Sequence, residues 1–146
     1  MSASDGKTIE ILLVEDNPAD VELTRAALRE GKVNNNLSVI LQGNDVMPYL
    51  CGQLPDTTRP DLILLDLNLP GKDGREVLSE MRADPELADI PVVILTTSDA
   101  DADIMGAYQL NASAYITKPV DFDQFIAAIQ EIDSFRVKIV HQPAKT

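Results

Sequence analysis

The sequence predicts a single α/β domain, a parallel sheet covered on both faces by helices. Two observations carry that prediction. Short, near-continuous apolar runs recur at Ile9–Val14, Leu37–Leu41, Leu62–Leu65, Val92–Leu95 and Ala114–Ile116, and stretches with helical spacing separate them. A strand covered on one face alternates apolar and polar residues, whereas one covered on both reads as a continuous apolar run. Five such units fit within 146 residues, too few for an eight-fold barrel.

The elements come in sequence order. After the first strand, Asn17-Pro18 offers a helix N-cap and a proline at the first helical position. Val21, Leu23, Ala27 and Leu28 are placed together on the buried face of that helix. In the third helix Val77, Leu78, Met81 and the aliphatic stem of Arg82 share a face. Asp84-Pro85 and Ile90-Pro91 punctuate the approach to the fourth strand. Ser98 or Asp99 starts a helix carrying Ile104, Met105, Ala107 and Tyr108. A last stripe, Phe122, Phe125, Ile126, Ile129 and Ile132, is expected to cover the sheet. No repeat, low-complexity tract or long linker divides the chain.

Composition narrows the function classes. Asp and Glu number 24 against 12 Lys and Arg, a net charge of −12. Nucleic acid and anionic membrane surfaces are disfavoured, because phosphate contacts need clustered cations. No run approaches the length of a membrane span, and MSASDGKTIE lacks the basic and apolar regions of a signal peptide, so a cytoplasmic location is expected. The one cysteine, Cys51, excludes an internal disulfide and is expected as a small core hydrophobe.

Ligands of open α/β sheets bind beyond the carboxyl ends of the strands, so the residues just past each apolar run matter most. Glu15 and Asp16 lie past the first, Asp66 and then Asn68 past the third, Thr96 past the fourth and Lys118 past the fifth. Each signal alone is weak; their joint placement points to one site. Converging carboxylates repel one another unless a cation intervenes. Mg²⁺, a hard ion that keeps waters and accepts carboxylate and phosphate oxygens, suits such a set. Asp16 and Asp66 are expected as direct ligands, Glu15 acts largely through water, and a backbone carbonyl adds another. Lys118 supplies a second positive charge and the Thr96 hydroxyl a donor to a phosphoryl oxygen. With no evident substrate pocket, the protein itself is expected to accept the phosphoryl group.

These residues resemble the receiver domain of bacterial two-component response regulators, over Ile9 to about Ile132. The resemblance implies a flavodoxin-like, doubly wound five-stranded parallel sheet of order 2-1-3-4-5 with five helices. It implies Asp66 as phosphoacceptor, Glu15, Asp16, Asp66 and the backbone carbonyl of Asn68 as Mg²⁺ ligands, and Lys118 as the catalytic lysine, ahead of Pro119 in a cis peptide. Thr96 and Tyr115 become the switch pair, and Asn68 and Ser98 tune hydrolysis. A histidine kinase would be the phosphoryl donor, and the face of the fourth helix, fifth strand and fifth helix would carry the signal. The protein would catalyse only its own phosphorylation and dephosphorylation. One departure is Thr97, where many receivers have Ala or Gly, which narrows access to the phosphoryl group.

"LILLDLNLPGKDGREVL", "IPVVILTTSD" and "IDSFRVKIVHQP" are further similar to stand-alone response regulators that pair with phytochromes. That likeness implies an extended last helix and a homodimer. Residues 1–8 read as an N-terminal tail, 9–132 as the receiver, and 133–146 as a helix extension and tail whose Phe135, Val137, Ile139 and Val140 would form the dimer contact. His141, in the polar tail, carries no metal or catalytic role. Three alternatives stand beside this reading. A Mg²⁺-dependent phosphatase of the haloacid-dehalogenase type would want a second Asp where Asn68 stands. A flavodoxin-like redox module would want a Ser, Thr and Gly loop where VEDNPAD stands. A pseudo-receiver would act only as an interaction module.

Overall fold

The computed structural model describes residues 8–30, 35–53, 57–67, 69, 71–72, 74–96, 112–117, 123–125 and 127. Along them run β1 (Ile9–Val14), α1 (Pro18–Glu30), β2 (Asn35–Ile40), a 3-10 turn (Gly43–Asp45) leading into α2 (Val46–Leu50), β3 (Leu62–Asp66), α3 (Gly74–Ala83), β4 (Val92–Thr96) and β5 (Ala114–Thr117). Residues 123–125 are also helical. The strands form one parallel sheet ordered β2-β1-β3-β4-β5, the architecture expected from the apolar runs and the resemblance.

Alternation along each strand divides the core in two. Ile9, Ile11, Leu13, Leu62, Leu64, Val93, Leu95, Ala114 and Ile116 pack with Val21, Ala27 and Leu28 of α1 and with Phe125. On the opposite face Leu12, Val14, Ile63, Leu65, Val92 and Ile94 pack with Val46 of α2 and Val77, Leu78 and Met81 of α3. Both sides of β3 are therefore dry, and all five of its residues are buried.

Helix signals hold where the chain is described. Asn17 Oδ1 accepts the N–H groups of Ala19 at 2.8 Å and Asp20 at 3.4 Å, capping α1 as expected. Arg82 is half-buried, and its guanidinium donates to the carbonyls of Ala88 at 2.8 Å and Ile90 at 3.1 Å. Burial lowers its pKa, and Asp89 opposes that shift.

Three expectations need correction. Leu23 is 43% exposed, not on the buried face of α1. It lies two residues, about 200°, around the helix from Val21. Thr24 takes the inward position, with its hydroxyl donating to the Asp20 carbonyl at 3.0 Å. Cys51 is exposed rather than core. The five-residue α2 buries only Val46, and the chain turns outward at Gly52, where φ is 75°. Leu41 lies beyond β2 and is 60% exposed, because sheet pairing ends at Ile40.

Candidate functional site

The site is built where β1 and β3 end side by side. Val14 pairs with Leu65, so Glu15 and Asp66, the next residue along each strand, emerge as neighbours. Carboxylate oxygens of Glu15, Asp16 and Asp66 all lie within 4.8 Å of one another. Glu15 is 1% exposed and Asp66 3% exposed, while Asp16 is open to solvent. Thus two carboxylates are buried and the third stands beside them at the surface.

Backbone bonds fix these positions. The Glu15 N–H donates to the Ile40 carbonyl at 2.9 Å, and its Oε2 accepts the Asn17 N–H at 3.1 Å. Beside Asp66, the Leu67 N–H donates to the Leu95 carbonyl and the Gly74 N–H to the Leu67 carbonyl, both at 3.1 Å. A Cβ on Gly74 would lie 2.5 Å from the Asp66 carbonyl oxygen and 2.8 Å from Leu67 Cα. The start of α3 therefore presses directly on the backbone that carries Asp66, a contact with no room for a Cβ unless backbone shifts. Sequence reasoning passed over Gly74; its signal was a glycine at the first position of a strongly amphipathic helix.

Three hard oxygen donors at this separation fit a divalent cation, which would offset their mutual repulsion. Thr96, the last residue of β4, pairs with Thr117 at the end of β5, which brings β4 and β5 to the same sheet edge. Tyr115 on β5, the last strand of the sheet order, is 40% exposed. The side chain of Thr96 lies outside the described residues, as do Asn68, Thr97, Ser98, Lys118, Pro119, His141, Phe135, Val137, Ile139 and Val140. Among the described residues no helix is long and apolar enough to cross a membrane.

Comparison with known proteins agrees with this geometry. Residues 11–130 match the response regulator receiver domain family. Response regulator Rcp1 of Synechocystis sp. is 42% identical over 136 residues, covering 92% of this chain and 92% of that protein. Among solved structures, the bacteriophytochrome response regulator RtBRR superposes with a TM-score of 0.78 at 41% identity, over 86% of this chain and 78% of that one. The phosphorylated cyanobacterial phytochrome response regulator RcpA gives 0.75 at 43% identity, over 90% and 95%. The Mn²⁺-bound form of Rcp1 gives 0.72 at 43%, over 88% and 94%. The chain is thus similar to phytochrome response regulators in sequence and in fold. The phosphatase and redox alternatives give way to this likeness. With residues 11–130 matched and a buried acidic crevice at the strand ends, this chain belongs to the response regulator receiver domains of two-component signalling, whose partners are histidine kinases.

Proposed function

We propose that this protein accepts a phosphoryl group on Asp66 from the phosphohistidine of a sensor histidine kinase, with a bacterial phytochrome as the favoured sensor. One observation carries the reading: the Glu15, Asp16 and Asp66 carboxylates gather within 4.8 Å at the ends of β1 and β3. An Asp66 oxygen forms the new P–O bond as the P–N bond of phosphohistidine breaks. The electron pair goes to the departing imidazole, which takes up a proton. Glu15, Asp16, Asp66 and the Asn68 carbonyl would hold Mg²⁺. When bound, the ion offsets carboxylate repulsion and the charge on the transferring group. Lys118 supplies the second positive charge and Thr96 a hydroxyl donor. Later, water attacks phosphorus, the Asp66 O–P bond breaks, and inorganic phosphate leaves with the Asp66 carboxylate restored, Asn68 and Ser98 setting the pace.

The signal leaves through Thr96 and Tyr115. Thr96 moves toward the phosphoryl oxygen, and Tyr115, 40% exposed on β5, turns inward to change the surface a partner reads. We assign residues 9–132 to the receiver and 133–146 to an extension whose Phe135, Val137, Ile139 and Val140 join two copies. The protein is assigned to the cytoplasm, where kinase phosphohistidines are presented.

Intact mass after incubation with acetyl phosphate and Mg²⁺ tests the reading, beside Asp66→Asn. A labile gain of one phosphoryl group in the wild type and none in Asp66→Asn is expected. A wild type that binds Mg²⁺ yet gains nothing would make the chain a pseudo-receiver.

A further inference from the structure

We infer that Asn44 is a positioning residue for the acidic crevice, an inference that rests on Asp66 being the phosphoacceptor. The segment running from β2 into α2 touches both carboxylate-bearing stretches. At its start, the Ile40 carbonyl accepts the Glu15 N–H at 2.9 Å. Four residues on, Asn44 Oδ1 accepts the Lys72 N–H at 3.0 Å, on the connection from Asp66 to α3.

Two glycines make room for that bond. Gly71 has φ 73°, and a Cβ there would collide with Asn44 Oδ1. A Cβ on Gly43 would run into the Lys72 carbonyl. The two connections thus meet backbone to backbone, with the Asn44 amide inserted where position 71 has no side chain. Lys72 is held from the other side, its Nζ lying 2.8 and 2.9 Å from the two carboxylate oxygens of Glu80 on α3. Gly74, two residues further, bears on the Asp66 carbonyl.

Asn44 therefore links the strand segment that orients Glu15 to the segment that closes behind Asp66. It touches neither carboxylate; it acts through the Lys72 backbone. Sites that bind metal ions depend on such outer supports, and loss of one weakens binding while the fold survives.

The test measures Mn²⁺ affinity by titration and the rate of phosphorylation by acetyl phosphate, in the full chain. Asn44→Ala is expected to weaken Mn²⁺ binding by about tenfold, the low end for loss of a supporting residue, and to slow phosphorylation by a similar factor, with the thermal midpoint falling by only about 2–4 °C, the cost of one hydrogen bond. Asn44→Asp keeps the acceptor oxygen and should restore both. Measuring it in about 1 M salt, where the Debye length is about 3 Å, screens the added charge. Hydrogen exchange at the Lys72 amide should quicken in Asn44→Ala and not in Asn44→Asp. An Asn44→Ala protein that matches wild type, or Ala and Asp variants that fall together, would overturn the inference. A wild type that takes no phosphoryl group would instead sink the assignment of Asp66.

Discussion

At Gly74 packing and charge meet in one residue. The absent side chain lets α3 approach the Asp66 carbonyl, and that approach holds a buried carboxylate beside two others. Gly74→Ala should lower stability by about 1–3 kcal/mol, since backbone rather than a flexible side chain must yield. Chemical denaturation would read that loss, and Mn²⁺ titration should show weaker binding in the same variant. Asp16 differs because it is exposed. Asp16→Asn removes one of three mutually repelling charges, so it should raise metal-free stability yet weaken Mn²⁺ binding clearly. Equal affinity in wild type and Asp16→Asn would remove Asp16 from the ligand set.

At the scale of an element, α1 shows how a face is chosen. Val21, Thr24, Ala27 and Leu28 point inward, and Leu23 points to solvent. Leu28→Ala should cost about 2–5 kcal/mol, the range for a buried leucine, whereas Leu23→Ala should stay within about 0.5 kcal/mol. Urea midpoints of the two variants would separate them, and comparable losses would contradict the face assignment. In α3 the half-buried Arg82 joins the helix to the turn before β4 through the Ala88 and Ile90 carbonyls. Arg82→Met keeps the aliphatic stem and should lose about 1 kcal/mol from the missing hydrogen bonds.

For the whole molecule, metal binding and folding are linked. The crevice forms only when β1 and β3 are paired, so a cation held there favours the folded chain. Mn²⁺ or Mg²⁺ at 100 times its Kd should add about 2.7 kcal/mol of stability, read as a raised thermal midpoint. Asp66→Asn should blunt that rise. With a net charge of −12, nonspecific screening also helps the fold, so the control is the same ionic strength supplied as sodium chloride.

How much of the molecule was legible in the sequence depends on the range of the forces involved. The parallel sheet could be read because burial on both faces leaves uninterrupted apolar runs, and the α1 cap because Asn17 acts on residues two and three positions away. Glu15, Asp16 and Asp66 could be read as a group because a parallel sheet brings all its strand ends to one edge. On α1 the sequence placed Val21, Ala27 and Leu28 correctly, but the choice of Thr24 over Leu23 for the buried face, the outward turn at Cys51, the place of Gly74 against Asp66 and the bond from Asn44 to Lys72 were decided by tertiary structure alone. Local periodicity allows more than one helix face. Which one is buried, and which backbones touch, depends on surfaces supplied by residues far along the chain, such as Asn44 and Lys72, 28 positions apart.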